Sequence, residues 1–156
     1  MCIRDRYLID PAAATINDET TTIIAEHSGS CLDVAGTSLA PGANIQQWNC
    51  SDSPNQRFTL APVDAVNNEY LIVAEHSQLC MEVPNSSQSN GTSIRQASCD
   101  GDANQVFRIE PSGADTYLIV ATHSDRCVDI SQSSTANAAN TIQWECHGQA
   151  LSLIHI

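Results

Sequence analysis

The chain has 156 residues, 42% of them hydrophobic, which suits one domain with a buried core. Its 18 acidic residues stand against six arginines and no lysine, so the formal net charge is −12. Because such a surface repels phosphate backbones and anionic lipids, nucleic-acid binding and membrane-surface binding are not expected. No apolar run approaches the roughly 18 residues of a membrane-spanning helix, so membrane insertion is not expected either.

The two ends of the chain differ from everything between them. Residues 1–6 read MCIRDR and residues 151–156 read LSLIHI. One choice of codons for the second hexapeptide has a reverse complement that encodes the first five residues of the chain and begins the arginine codon of the sixth, and this DNA resembles a transposon end used to prepare sequencing libraries. We therefore expect both ends to be adapter scars on a fragment of a longer protein, and we exclude them from functional inference. Residues 7–21 would be a linker or the last strand of a preceding repeat, since YLIDP at 7–11 resembles FTLAP at 58–62.

Three blocks between these ends follow one rule. Each has a His, a Ser, two variable residues, a Cys, an apolar residue and an acidic residue, and the blocks begin at His27, His76 and His123. A second cysteine lies 19 residues after the first in every block. This constant spacing favours a disulfide inside each repeat, with zinc sites at the His-x3-Cys pairs as the alternative. The predicted pairs are Cys31–Cys50, Cys80–Cys99 and Cys127–Cys146.

Short runs rich in Val, Ile and Thr alternate with clusters of Gly, Ser, Asn, Asp and Pro, a pattern typical of short strands joined by tight turns. Repeats of this length suit a propeller blade or a lobe of a trefoil, and three copies are too few for a propeller. The sequence therefore predicts an all-β β-trefoil over residues 22–150, with three repeats of roughly 47 residues and one disulfide in each. We call the repeats lobes, and place them at about 22–69, 70–116 and 117–150, the third truncated.

The disulfide of the first lobe suggests which side chains are neighbours. If Cys31 lies directly opposite Cys50 in an antiparallel pair, Asp33 faces Trp48, and Gln46 lies on the same, solvent-facing side. A carboxylate accepts hydrogen bonds from hydroxyls, while an indole covers the C–H face of a pyranose. This pairing predicts a sugar site in the first lobe. The alternative is a buried Trp with an exposed Asp that only solvates a turn.

The same alignment separates the other two lobes. In the third lobe it sets Asp129 opposite Trp144, with Ile142 in place of the glutamine, and predicts a weaker sugar site. In the second lobe it sets Glu82 opposite an alanine, with Arg95 close enough to pair with the carboxylate. No sugar site is expected in the second lobe, because it lacks an aromatic platform.

The segments CLDV, IQQWNC and NQRF of the first lobe, with NQVF in the second, resemble the ricin B-type lectin family over about residues 22–150. The resemblance implies a β-trefoil that binds galactose-type, N-acetylgalactosamine-type or xylan-type glycans. By position, Asp33 would accept sugar hydroxyls, Trp48 would stack on the ring, and Gln46 and Asn55 would add hydrogen bonds. Two further glutamines would be structural, namely Gln56 and Gln105.

The third lobe departs from the pattern at its end. Five residues after its second cysteine lies Leu151, where the first two lobes have Asn55 and Asn104, so this lobe lacks the supporting asparagine. Ile154 falls where Phe58 lies in the first lobe, so the last residues could still pair as a strand. Either this segment or residues 7–11 could close the barrel, and the sequence leaves that choice open.

We expect a secreted, non-catalytic module that needs no cofactor and targets a larger protein to a glycan; the parent could carry a glycoside hydrolase. The three histidines occupy one position of each repeat beside a turn, rather than one catalytic cluster, and no nucleophile constellation, metal ladder or phosphate loop is evident. The alternative is a β-trefoil that binds a protein, as an interaction module or an inhibitor, without binding sugar.

Overall fold

The computed structural model describes residues 20–113, 115–147 and 153–155, the last of these by their backbone alone. The predictions for residues 1–6, 7–19, 151–152 and 156 lie outside the described residues. Thirteen strands and no α-helix occur in the part that is described, and the predicted all-β β-trefoil is confirmed. The strands are β1 (Thr20–Thr21), β2 (Ile24–Ala25), β3 (Cys31–Val34), β4 (Ile45–Trp48), β5 (Phe58–Asp64), β6 (Glu69–Ala74), β7 (Cys80–Glu82), β8 (Arg95–Ala97), β9 (Phe107–Pro111), β10 (Tyr117–Ala121), β11 (Arg126–Ile130), β12 (Thr141–Glu145) and β13 (Leu153–His155).

A closed antiparallel barrel forms the centre of the molecule. Strands β5, β6, β9, β10 and β13 follow one another around it, and the segment that contains β1 and β2 pairs with β13 on one side and with β5 on the other. The last strand, β13, pairs Ile154 with both Tyr117 and Ala25. Residues 153–155 are therefore the segment that closes the barrel.

Three hairpins extend from this barrel, one in each lobe: β3–β4, β7–β8 and β11–β12. Side chains alternate between the two faces of a strand, so each hairpin directs one row inward and one row outward. Leu32, Val34 and Ile45 of the first hairpin join the fully buried Phe58 and Phe107 of the barrel in one apolar core. The outward row carries the candidate site residues. Among the described residues, no helix has the length and apolar character required to cross a membrane.

A polar clamp, made of one His and one Gln in each lobe, joins neighbouring lobes. His27 Nε2 and Gln47 Nε2 both bond the carbonyl oxygen of Ser134 in the third lobe, at 2.8 and 2.7 Å. Gln47 is completely buried, and its Oε1 accepts a hydrogen bond from Ser28 Oγ at 3.0 Å. The other lobes repeat these hydrogen bonds. In the second lobe, His76 and Gln96 bond the carbonyl oxygen of Ser38 in the first lobe. In the third lobe, His123 and Gln143 bond the carbonyl oxygen of Ser87 in the second lobe. The recurring histidine of the sequence is thus part of the contact between lobes.

Candidate functional site

Each lobe contains one disulfide, as the cysteine spacing predicts. The bonded pairs are Cys31–Cys50, Cys80–Cys99 and Cys127–Cys146, and their Cα atoms lie 5.1, 5.1 and 5.0 Å apart. Because the six cysteines bond to one another, the alternative of zinc sites at the His-x3-Cys pairs is wrong.

The predicted pairing inside each hairpin is wrong by two residues. Cys31 lies opposite Trp48, and Asp33 lies opposite Gln46, not opposite Trp48. The reason is that Cys50 lies beyond the end of β4, so the disulfide runs diagonally across the end of the hairpin. The other lobes share the correction: Glu82 pairs with Arg95 and not with Ala97, and Asp129 pairs with Ile142 and not with Trp144. Because an error of two residues preserves the alternation of side chains, the predicted site residues still share one face.

The first lobe brings Asp33, Gln46, Trp48 and Asn55 together around a cavity of about 310 Å³. Asp33 is only 6% exposed, whereas Trp48 is 41% exposed. The expectation that both side chains lie on the solvent surface is therefore wrong for the carboxylate, which forms the floor of the cavity while the indole forms a wall. The alternative of a buried Trp with an exposed Asp is the reverse of the observed arrangement.

Three side-chain amides hold the carboxylate of Asp33. Gln46 Nε2 donates to its Oδ1 at 3.1 Å, while Asn55 Nδ2 and Gln56 Nε2 donate to its Oδ2 at 3.0 and 2.9 Å. The second hydrogen of Asn55 Nδ2 bonds the carbonyl oxygen of Val34 at 3.1 Å. Burying a charge is costly unless hydrogen bonds compensate it, and these amides do so. They also fix the direction in which the carboxylate faces the cavity.

Gln56 and Gln105 have matching environments in the first two lobes. Gln56 lies in a short 3-10 turn and accepts from the backbone N–H of Ser51 at 2.8 Å, while its Nε2 donates to the carbonyl of Asn49 at 3.0 Å. Gln105 Nε2 donates to the carbonyl of Ser98 at 2.8 Å and to Glu82 Oε1 at 3.2 Å. Both side chains, at most 1% exposed, connect the end of the hairpin to its acidic residue.

Among the described residues, the second lobe has no indole equivalent to Trp48. Ala97 lies where the other lobes have an indole, and Arg95 Nε donates to Glu82 Oε2 at 2.8 Å. The side chain of Glu82 is 8% exposed, so this pair is desolvated on the carboxylate side. With its charge paired and no aromatic surface beside it, this carboxylate is poorly suited to bind a polyol.

The third lobe brings Asp129 and Trp144 together around a cavity of about 400 Å³. Asp129 is 4% exposed and Trp144 is 41% exposed, which repeats the arrangement of the first lobe. The contacts of the carboxylate differ, however. Its Oδ1 accepts from the backbone N–H of Ile130 at 2.8 Å, and its Oδ2 lies 3.2 Å from His147 Nε2.

Several residues that line these cavities were not predicted from the sequence, among them His147 and the residues of two short turns. His147 directly follows Cys146, and its Nε2 approaches the carboxylate of Asp129, whereas the contacts described above for Asp33 in the first lobe come from side-chain amides. Its position next to the second cysteine is the signal that could have identified it. Short 3-10 turns after β3 and β11 also line the cavities, through Gly36 and Gln132, and both have positive φ.

Comparison with known families gives one match over most of the chain. Residues 19–152 match the model of the ricin-type β-trefoil lectin domain. No curated protein matches the sequence.

Several solved structures share the fold. A designed threefold-symmetric protein, ThreeFoil, is 34% identical over 88% of this chain and 97% of its own, with a TM-score of 0.86. An exo-β-1,3-galactanase from Clostridium thermocellum is 26% identical over 90% of this chain but only 30% of its own, with a TM-score of 0.84. A ricin B-like lectin from Macrolepiota procera, solved in complex with lactose, is 13% identical over 88% of this chain and 93% of its own, with a TM-score of 0.74, a likeness of fold alone.

Proposed function

Because the chain belongs to the ricin-type β-trefoil lectin domain family, we propose that it is a non-catalytic module that binds galactose-type or xylan-type glycans at the cavities of its first and third lobes. The observation that carries the proposal is the buried carboxylate of Asp33, held by three amides beside the half-exposed indole of Trp48. The third lobe repeats the pair of acid and indole with Asp129 and Trp144.

The chemistry of the first cavity suits a pyranose. A carboxylate offers about four lone-pair positions, of which the three amides occupy three, so Oδ1 of Asp33 keeps room for one further donor. A sugar hydroxyl can donate there in a charge-assisted hydrogen bond. The indole of Trp48 can cover the apolar C–H face of the same ring. Since the amides already fix the carboxylate, little conformational entropy is lost when the sugar binds.

Galactosides are the first ligands to test. Similar structures include a lectin solved with lactose and an earthworm R-type lectin half solved with GalNAc. The galactanase shares the fold over 30% of its own length, which supports the role of a targeting module within a larger protein. Secretion is part of the proposal, because three structural disulfides persist in oxidising compartments and are rare in the cytosol.

Titration calorimetry with methyl β-galactoside and methyl β-xyloside tests the proposal. The wild-type chain should bind two equivalents of one of these glycosides, and Trp48→Ala or Asp33→Ala should each leave one. Val66→Ala is the matched control, because this side chain is 81% exposed and lies outside both cavities. If both first-lobe variants keep two equivalents at unchanged affinity, the site assignment is wrong.

The competing proposal, a β-trefoil that binds a protein, makes the opposite prediction. In that case a glycan array gives no signal, and capture from a biological extract yields one protein partner whose binding survives Asp33→Ala.

A further inference from the structure

We propose that the two cavities select different sugars and that Ile142 determines the difference. At one position of the sugar ring, the cavity beside Trp48 requires a hydroxyl group. At the same position, the cavity beside Trp144 prefers a carbon that carries no hydroxyl. This inference rests on the proposed function. The chemical class of the ligand for the third lobe is therefore a deoxy sugar, recognised by an acid, an indole and an apolar wall.

The first observation is the pairing inside the hairpins. Gln46 lies opposite Asp33, and Ile142 lies opposite Asp129, so the two residues occupy one structural position. Both line their cavities next to the indole. Gln46 uses its Nε2 on the carboxylate and retains Oε1, which can accept a hydrogen bond from a sugar hydroxyl. The side chain of Ile142 offers no polar atom at this point.

The second observation concerns the rest of the lining. In the first lobe, Asn55 and Gln56 add amides to the floor of the cavity, and Ser51 and Ser53 add hydroxyls. In the third lobe, Ile130 and Ile142 line the cavity together with Trp144, and among the described residues the polar side chains of the lining belong to Asp129, His147 and the turn at 131–133. At the position opposite the acidic residue, the lining beside Asp129 is therefore apolar, whereas the lining beside Asp33 is polar.

This exchange has a defined effect on selectivity. A hydroxyl placed against Ile142 gives up its water without gaining a partner, whereas a carbon without a hydroxyl buries apolar surface there. In the first lobe, loss of the same hydroxyl removes the hydrogen bond that the sugar donates to Oε1 of Gln46, so the deoxy ligand binds more weakly there. We expect the two cavities to differ by about tenfold in their relative preference for one monodeoxy ligand, the factor that corresponds to ~1.4 kcal/mol.

Two single-site proteins isolate the cavities. Trp48→Ala leaves only the third-lobe cavity, and Trp144→Ala leaves only the first-lobe cavity. Each is titrated by calorimetry with whichever parent glycoside the wild type binds and with the full set of its monodeoxy analogues. At least one analogue should bind the Trp48→Ala protein more tightly than the parent glycoside binds it. The same analogue should bind the Trp144→Ala protein less tightly than the parent glycoside does.

The exchange of the two key residues provides the decisive control. Ile142→Gln in the Trp48→Ala protein should abolish the deoxy preference, and Gln46→Ile in the Trp144→Ala protein should create it. An identical rank order of ligands in both cavities overturns the inference, as does an unchanged preference in the Ile142→Gln protein or a third lobe that binds no ligand at all. A wild-type chain that binds neither parent glycoside refutes the proposed function itself and this inference with it.

Discussion

Replacing Ala138 with glycine should stabilise the protein, because this residue adopts a backbone conformation that favours glycine. Ala138 has φ of +70°, and the equivalent residues of the other lobes are Gly42 and Gly91, with φ of +94° and +89°. The equivalence rests on one contact, because each of the three donates its N–H to the carbonyl of the buried glutamine in a neighbouring lobe. The N···O distances are 2.9 Å from Ala138 to Gln47, 2.7 Å from Gly42 to Gln96, and 2.8 Å from Gly91 to Gln143.

The expected gain follows from two opposing terms. A left-handed conformation costs a residue with a Cβ roughly 1–2 kcal/mol, and substitution by glycine removes this cost. Glycine also gives the unfolded chain more conformational entropy, which lowers the free energy of unfolding by about 0.4–1 kcal/mol. Ala138 is exposed, so loss of its methyl group removes no buried contact. The net increase in the free energy of unfolding should be about 0.5–1 kcal/mol.

Urea unfolding followed by circular dichroism measures this change, with an unchanged m value as evidence that the folded state is intact. Gly42→Ala is the reverse test: a Cβ added there meets no atom within 4 Å, so any loss of stability reflects the backbone alone. Ala136→Gly in the same loop is the matched control. The φ of Ala136 is not positive, so glycine at this position should destabilise the protein. If Ala138→Gly is as destabilising as Ala136→Gly, the argument from backbone conformation is refuted.

Two further predictions concern stability away from the cavities. Replacing Cys80 and Cys99 with alanine opens a loop of 19 residues and should lower the free energy of unfolding by about 3 kcal/mol in urea, with both glycoside equivalents still bound; loss of sugar binding would contradict the inactive role of the second lobe. The side chain of Asn67, followed by backbone N–H groups, holds the pKa of the Asp64 carboxyl below its usual range. Stability from this contact is present above the unfolded pKa and is lost as the pH falls through the folded one. Asn67→Ala should therefore raise the pKa of Asp64 in an NMR titration, and an unchanged value would assign the shift to the backbone N–H groups alone.

The repeats of the sequence were sufficient to predict the fold and the disulfides. The same cysteine spacing of 19 residues in all three repeats indicates one disulfide inside each repeat. Three repeats of short strands are compatible with few closed folds, of which the β-trefoil is one. The spacing did not determine the pairing of the hairpin, since bonded cysteines need not be directly opposite each other. Cys50 lies past the end of β4, so Asp33 pairs with Gln46, a register that depends on where the strand ends.

Contacts between lobes were beyond the reach of the sequence. His27 and Gln47 bond a carbonyl oxygen more than 80 residues away, and no pattern within one repeat identifies that partner. The burial of Asp33 was missed for a similar reason, because the amides that compensate its charge follow in a later turn of the lobe. The contribution of His147 was missed because the residue after the second cysteine differs in every lobe, being Ser51, Asp100 and His147, so the repeat pattern did not mark this position.

The clamp has a consequence for how the molecule unfolds. The glutamine of each lobe donates a hydrogen bond to a loop of another lobe: the first lobe bonds the third, the second bonds the first, and the third bonds the second. These contacts therefore form a closed cycle around the three lobes. A lobe cut out as a peptide would expose the amide of a glutamine that is completely buried in the intact ring. Melting should accordingly occur in a single cooperative transition, and a gene carrying one or two lobes should yield a working protein only if its product assembles into a complete ring.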